Sequence, residues 1–236
     1  MTLETLSETG CFGGKIGFYK HTSSANNCDM QFSVFVPPQA GSAKVPVVTF
    51  LSGLTCSEEN FMIKSGAQRY AAELGIMIVS PDTSPRGDDV PDDPDGDYDF
   101  GLAAGFYLNA VEKPWSQHYH MYDYVTTELQ DAVFDNFPGD ASRQGLCGHS
   151  MGGHGALSLA LRNPGTFRSA SSMSGILDLT GHPRSWKIAQ RLGPFAEQPA
   201  AWEEHSVAHL LRAGVAPELP ILFVCGDADR AAWTEN

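Results

Sequence analysis

The sequence predicts an α/β fold in which a mostly parallel central sheet carries helices on both faces. Two observations lead to this prediction. Runs of apolar and small residues recur between turn residues, and continuous runs of this kind suit strands that are buried on both faces. Longer segments of helical character lie between these runs, and strands that alternate with helices form parallel sheets. The length of 236 residues, of which 42% are hydrophobic, fits a single domain over 1–236.

Six segments predict the strands of this sheet. Each is a short run of apolar or small residues that is bounded by residues favouring turns. In chain order the runs are FSVFVPP (32–38), VPVVTFLSG (45–53), GIMIVSPDT (75–83), RQGLCGHS (143–150), FRSASSMSG (167–175) and LPILFVCGD (219–227).

Four segments between these runs predict helices, at 57–75, 121–137, 152–164 and 202–214. In the second of them, apolar residues recur at helical spacing, which indicates a face that packs on the core. These residues are Tyr124, Val125, Leu129, Val133 and Phe137.

Charge and cysteine content limit the class of protein. The formal net charge of −13 disfavours binding to nucleic acid or to an anionic membrane. The N-terminus has early acidic residues and no apolar signal region, and no stretch approaches the length of a membrane span. The five cysteines are widely spaced and form no C-x-x-C pair, which predicts free thiols, no zinc site and a cytoplasmic location.

An acidic segment rich in Pro and Gly, at 84–106, interrupts the alternation of strands and helices. Its DPDGD stretch invites comparison with a calcium-binding EF-hand loop. With Gly96 at position 6 of such a loop, Pro91 falls at position 1 and Leu102 at position 12, where acidic ligands are required. The segment is therefore interpreted as a solvated acidic loop, and a nonstandard cation site remains the alternative.

The stretch QGLCGHSMGGHGAL (144–157) predicts a catalytic serine. Ser150 lies in a G-x-S-x-G pattern between a predicted strand and a predicted helix, which is the context of a nucleophile elbow. Gly148 and Gly152 supply the small neighbours that such a tight turn requires, and Gly153 and Gly155 let the helix approach the sheet. The alternative is a glycine-rich turn that serves packing alone.

A serine nucleophile needs two N–H donors for the oxyanion of its tetrahedral intermediate. The backbone N–H of Met151, at the start of the helix, is the first candidate. The second is expected in the loop after the strand at 45–53, where either Leu54 or Thr55 could supply it.

Several blocks of the chain together resemble the S-formylglutathione hydrolases of the esterase D family. The blocks are LSGLTCSEENF (51–61), SPDTSPRG (80–87), DFGLAAGFYLNA (99–110), KPWSQHYHMYDYVTTEL (113–129) and GHSMGGHGAL (148–157). The resemblance implies a single-domain α/β-hydrolase that needs no cofactor. Such an enzyme cleaves the small-molecule thioester S-formylglutathione to formate and glutathione in formaldehyde detoxification, and it also hydrolyses simple esters.

The resemblance also implies roles for individual residues. Ser150 is the nucleophile, the N–H groups of Leu54 and Met151 form the oxyanion hole, and Cys56 is a thiol beside the active site. A small buried filler is the other interpretation of Cys56. Asp227 and Asp229 both follow the last predicted strand, and the family pattern Gly-x-x-Asp favours Asp229 as the triad acid.

The sequence does not supply the expected catalytic base. In this fold the histidine follows the acid, and none of the seven residues after Asp229 is a histidine. His149 lies near the active site but should point away from the pocket, His154 should lie behind the turn, and His118 and His120 should line or support the pocket. The expectation is a chain with the C-terminal part of the fold missing, which would be a very poor enzyme.

Beyond residue 170 the resemblance weakens, and SASSMSGILDLTGHPRSW (169–186) is closer to related short-chain acyl esterases. Trp186 could then form a pocket wall or belong to the core. Two alternatives follow: a short-chain acyl esterase or acyltransferase of the same fold, and a non-catalytic relative that binds without hydrolysis. A homodimer is also considered as the oligomeric state of the protein.

Overall fold

The computed structural model describes residues 2–181, 187–216 and 218–228. The strands of these residues form one sheet, and the six predicted strands are all present in it. In chain order the strands are β1 (Glu4–Cys11), β2 (Gly14–Ser23), β3 (Cys28–Val36), β4 (Val45–Leu51), β5 (Met77–Pro81), β6 (Gly139–His149), β7 (Ala170–Met173) and β8 (Ile221–Val224).

The order of strands across the sheet is β1-β2-β3-β5-β4-β6-β7-β8. The pairings from β5 through β4, β6 and β7 to β8 are parallel, whereas β1, β2, β3 and β5 pair in antiparallel fashion. At the centre, Thr49 of β4 lies opposite Val79 of β5 and Leu146 of β6. The predicted mostly parallel sheet is thus confirmed, with an antiparallel extension at one side.

That antiparallel extension begins with a hairpin that the sequence analysis missed. Strand β1 is exposed along nearly all of its length and has no apolar run to signal it. Strand β2 alternates buried and partly exposed residues, and a turn at Phe12 and Gly13, both with positive φ, joins the two strands. The hairpin is held chiefly by backbone pairing, which apolar runs do not reveal.

The helices cover both faces of the sheet, as predicted, but several predicted segments are divided. The first segment splits at Gly66, whose φ of 66° ends one helix and starts the next. The segment at 121–137 contains a π-helical turn over Tyr124–Glu128, and the segment at 202–214 is divided between two short helices, Pro199–Glu203 and Val207–Arg212. The helices are α1 (Glu58–Lys64), α2 (Ala67–Leu74), α3 (Met121–Asp123), α4 (Leu129–Asn136), α5 (Met151–Arg162), α6 (Pro199–Glu203) and α7 (Val207–Arg212).

The acidic segment at 84–106 is a loop, as predicted, and three of its carboxylates are paired with one lysine. The Lys187 ammonium lies 3.0 Å from the Asp93 carboxylate and 3.5 Å from that of Asp99, and it also bonds Asp97. Among residues 2–181, 187–216 and 218–228, no group of His, Cys, Asp and Glu has the arrangement of a metal site. The described helices also include none with the length and apolar character needed to cross a membrane.

Candidate active site

Ser150 occupies the tight turn between β6 and α5. Its backbone has φ 54° and ψ −119°, a conformation that a residue with a side chain rarely adopts. The Ser150 N–H donates to the Met173 carbonyl of β7 at 2.8 Å, and the Ser150 carbonyl accepts from the His154 N–H at 3.1 Å. A strained serine held from both sides is the geometry that the G-x-S-x-G pattern predicts.

Gly148 and Gly152, which lie two residues before and two residues after Ser150, have no room for a side chain. A Cβ on Gly148 would lie 2.1 Å from the carbonyl oxygen of Gly152. A Cβ on Gly152 would lie 1.8 Å from the carbonyl oxygen of Leu51 in β4. Both contacts are with backbone, so no side-chain rearrangement could relieve them, and the turn depends on glycine at both positions.

The next two glycines bring α5 close to different neighbours. A Cβ on Gly153 would lie 2.6 Å from Ser172 Oγ of β7, so Gly153 allows the helix to approach the sheet, as expected. A Cβ on Gly155 would instead lie 2.5 Å from the ring of Tyr107. Tyr107 belongs to the loop after the acidic segment, so the expectation of sheet packing does not hold for Gly155.

The loop after β4, residues 52–57, lies directly beside Ser150, and we call it the oxyanion loop. Strands β4 and β6 are parallel neighbours, with Leu51 opposite Gly148, so both chains leave the sheet at the same edge. A Cβ built on Gly53 would be 3.3 Å from Ser150 Cβ. The structure therefore brings the predicted oxyanion loop to the predicted nucleophile, although about 95 residues of chain separate them.

Two backbone N–H groups in this region are left without acceptors. Thr55 donates its N–H to the Ala103 carbonyl at 3.1 Å, whereas the Leu54 N–H has no hydrogen-bond acceptor among the described residues. Met151 is the first residue of α5, so its N–H has no acceptor within the helix. Of the two alternatives for the second donor, the geometry thus favours Leu54.

Two buried acids and a partly exposed arginine lie against the oxyanion loop, and the sequence analysis did not identify this group. Asp82 is buried and forms a 2.6 Å ion pair with Arg86, which also donates to the Cys56 carbonyl at 3.1 Å. The neighbouring Glu58 is buried as well. Burial, together with the charge of Asp82, raises the pKa of Glu58 to about 7. The SPDTSPRG block contains Asp82 and Arg86, and a charged pair directly after a buried strand was the available signal.

A cleft of about 240 Å³ lies against this loop, and its lining includes His149, the residue before Ser150. Cys56 and His149 both line this cleft, so His149 does not point away from it as expected. The position of Cys56 beside the reacting serine stays a prediction. Cys56 is a free, partly buried thiol, and the His149 side chain is exposed. The other lining residues are Phe50, Ser52, Gly53, Asn60, Phe61, Lys64 and Ser65.

No histidine ring among the described residues forms a hydrogen bond with Ser150 Oγ. His154 is fully buried behind the turn, as expected, and its Nε2 bonds the His205 carbonyl at 2.8 Å. His118 and His120 bond the carbonyls of Asn26 and Ser116, respectively, and so support the loop at 113–121. His182, Trp186 and Asp229 lie outside the described residues, whereas Asp227 is described and exposed beyond β8.

Comparison with known proteins agrees with this geometry. Residues 23–236 match the family Esterase, described as "Putative esterase". The S-formylglutathione hydrolase of Paracoccus denitrificans is 48% identical over 216 residues, which cover 90% of this chain and 75% of that protein. The S-formylglutathione hydrolase of Rattus norvegicus is 42% identical, with coverage of 97% and 80%.

A solved structure shows the same fold. The S-formylglutathione hydrolase from Agrobacterium tumefaciens superposes with a TM-score of 0.90 at 43% identity, over 95% of this chain and 80% of that one. The α/β-hydrolase prediction and the resemblance stated from the sequence are thereby confirmed. The chain belongs to the Esterase family, and within it to the family of the S-formylglutathione hydrolases.

Proposed function

We propose that this protein is a serine thioesterase and carboxylesterase that hydrolyses S-formylglutathione to formate and glutathione. The observation that carries the proposal is the strained turn at Ser150, next to which the N–H groups of Leu54 and Met151 have no acceptor among the described residues. The similarity to S-formylglutathione hydrolases supports the choice of substrate.

The chemistry proceeds in two halves. Ser150 Oγ attacks the formyl carbon of the thioester, and the carbonyl oxygen becomes an oxyanion that accepts hydrogen bonds from Leu54 and Met151. The C–S bond then breaks, the glutathione sulfur leaves with a proton, and a formyl ester remains on Ser150. Water attacks this ester through a second oxyanion and releases formate.

The position of Ser150 at the start of α5 strengthens the oxyanion hole. Helix α5 has twelve residues and is buried over most of its length, so its N-terminal N–H groups point at the site from a largely apolar surrounding. The partial positive charge of a helix N-terminus stabilises a developing negative charge there. Both the N–H group of Met151 and the dipole of α5 therefore act on the same oxygen.

Ser150 requires a base, and the base requires an acid to orient it. We assign the acid to Asp229, with Asp227 as the alternative, because both follow the last strand of the sheet. The described residues hold no histidine that bonds Ser150 Oγ, so no residue among them is assigned as the base.

The cellular setting is also part of the proposal. The five cysteines are all free thiols, which supports a reducing compartment and hence the cytoplasm, where the reaction would serve formaldehyde detoxification. The net charge of −13 supports the absence of nucleic-acid and membrane partners. A homodimer remains a prediction, and the molar mass of the purified protein in solution, measured by light scattering, tests it.

The two alternative functions account for less of the site. A non-catalytic relative would gain nothing from a strained serine flanked by two glycines that cannot accept a Cβ. A short-chain acyl esterase or acyltransferase would use the same turn, and a panel of acyl donors and acceptors separates it from the thioesterase.

The decisive experiment labels the nucleophile and measures hydrolysis in parallel. A fluorophosphonate should modify Ser150 in this chain when it is extended by the C-terminal segment of a related hydrolase that supplies a histidine after Asp229, and peptide mass spectrometry locates the label. This extended chain is the wild type of the activity and labelling experiments below. Ser150→Ala should abolish labelling and lower kcat for S-formylglutathione by about 10⁴-fold or more. Ser158→Ala, a buried serine of the same helix, is the control and should behave as wild type. Label on another serine, together with unchanged hydrolysis by Ser150→Ala, would refute the proposal.

A further inference from the structure

Arg191 is a fully buried arginine without an acidic partner among the described residues. Its guanidinium carbon lies 4.4 Å from the ring centre of Phe100, 5.4 Å from that of Trp115 and 4.3 Å from that of Tyr119. Burial lowers the pKa of Arg191 to about 10, so the guanidinium is still charged at neutral pH. Burying a charge without an acidic partner costs free energy, so the position of this guanidinium among three aromatic rings, which we call the cage, needs an explanation.

The hydrogen bonds of this guanidinium all go to one short stretch of backbone. Nη1 donates to the Ala104 carbonyl at 2.6 Å, and Nη2 donates to the Gly101 carbonyl at 3.4 Å. Nε has no acceptor among the described residues. Arg191 therefore acts on the main chain at 101–104 and on no side-chain acid.

This stretch runs into a strained segment at 103–107, which we call the support loop. Three of its residues with side chains have positive φ: Ala103 at 58°, Phe106 at 52° and Tyr107 at 54°. Such conformations persist only where surrounding contacts over-determine them. The cage and the two carbonyl bonds of Arg191 supply such contacts at the start of the support loop.

The support loop contacts the oxyanion loop on both sides of Leu54. The Ala103 carbonyl accepts the Thr55 N–H at 3.1 Å, and the Tyr107 hydroxyl donates to the Ser52 carbonyl at 2.8 Å. These bonds fix the backbone immediately before and after the segment that presents the Leu54 N–H.

The same loop also reaches Met151, which carries the other candidate N–H donor. The Phe106 N–H lies 3.4 Å from the sulfur of Met151, and the Tyr107 ring packs against Gly155 of α5. The support loop thus touches the elements that carry both N–H groups of the proposed oxyanion hole.

We propose that Arg191 is a positioning residue for the oxyanion hole, which it aligns by clamping the support loop against the oxyanion loop and α5. The inference rests on the proposed function, since it assigns a role to the N–H groups of Leu54 and Met151. Arg191 itself touches neither of these groups, and its effect passes through Ala104 and the loop that follows.

The first test replaces Arg191 by Met and by Lys. Methionine fits an apolar cage and removes a costly buried charge, which offsets part of the loss of two hydrogen bonds, so Arg191→Met should still fold, with a lowered thermal midpoint. Loss of the clamp should lower kcat for S-formylglutathione and the rate of fluorophosphonate labelling of Ser150 by about 10- to 100-fold, with KM little changed. Arg191→Lys should recover only part of either rate, because an ammonium cannot bridge two carbonyls in one plane.

The control is Arg168→Met, which removes an exposed arginine that bonds the Ser142 carbonyl far from the site, and both rates should stay at the wild-type value. Tyr107→Phe provides a second route, because it removes only the hydroxyl bond to Ser52 and should lower the labelling rate several-fold. Tyr98→Phe, at an exposed tyrosine, is its control.

The outcomes separate the two proposals. A folded Arg191→Met variant that labels and turns over at the wild-type rates overturns the role of Arg191. If the Arg191 variants do not fold, a Tyr107→Phe variant with wild-type labelling overturns the role of the support loop, and with it the role of Arg191. A wild-type chain that is not labelled at Ser150, and whose hydrolysis survives in Ser150→Ala, instead overturns the proposed function on which the inference rests.

Discussion

Replacing Gly152 by Ala should dismantle the turn that holds Ser150. The added Cβ would lie 1.8 Å from the Leu51 carbonyl oxygen and 2.7 Å from that of Ser52. To restore an ordinary contact distance, α5 and β4 would have to separate by about 1.5 Å. Neither can yield easily, because Leu51 is paired with Gly148 of β6 and α5 is buried from Met151 to Leu161.

The size of the effect follows from this rigidity. Overpacking in a well-packed interior costs about 1–3 kcal/mol, and a clash between backbone atoms belongs at or above the upper end, so we expect a loss of about 3 kcal/mol or more in the free energy of unfolding. A displacement of about 1 Å at a reacting group costs about 10²-fold in rate, so labelling of Ser150 should fall at least that far.

The assay combines urea unfolding with the rate of fluorophosphonate labelling. Gly41→Ala is the matched control, because a Cβ at Gly41 meets no atom within 4 Å. Its unfolding free energy should stay within about 0.5 kcal/mol of wild type. If Gly152→Ala matches wild type in both measurements, then α5 does not approach β4 as closely as described, and the argument for the turn is wrong.

Two further predictions concern carboxylates. Because Glu58 has a folded-state pKa raised to about 7, the folded protein binds its proton more tightly, and Glu58 destabilises the fold increasingly from about pH 4.5 to about pH 7. The free energy of unfolding of Glu58→Gln, measured in urea, should therefore rise relative to that of wild type as the pH increases from 5 to 8. The same rise in the exposed Glu59→Gln would contradict burial of Glu58 as the cause. In the chain extended by a segment that supplies the histidine, Asp229→Asn should lower the hydrolysis rate of S-formylglutathione by up to about 10⁴-fold and Asp227→Asn far less, and equal small losses would place the acid elsewhere.

The sequence predicted the parts of the fold that are specified by local pattern. β4, β5 and the second half of β6 are largely buried, and their apolar and small residues mark them directly. The exposed β1 carries no such mark, because its stability comes from pairing with β2 and its side chains face solvent. The break at Gly66 escaped notice because a single glycine is tolerated in many helices.

The candidate site divides in the same way. Ser150 and its glycines were predicted because a tight turn restricts which residues can surround it. Arg191 and Tyr107 were missed because burial of an arginine and positive φ at a tyrosine arise from tertiary contacts and leave no local pattern. Sequence reasoning identified the candidate nucleophile, whereas the contacts around it became visible only in three dimensions.

The strand order also has a consequence for how the chain folds. β4 and β6 are neighbours in the sheet, yet roughly 90 residues of chain lie between them, and pairings of such long range form slowly. At a synthesis rate of about 5–20 residues per second, β4 is synthesised roughly 5–20 seconds before β6 is complete. During that interval the backbone N–H and C=O groups of β4 that later pair with β6 have no partner strand. The Gly53 loop meets Ser150 only after this pairing closes, so mistakes in folding should affect catalysis before they affect the N-terminal hairpin.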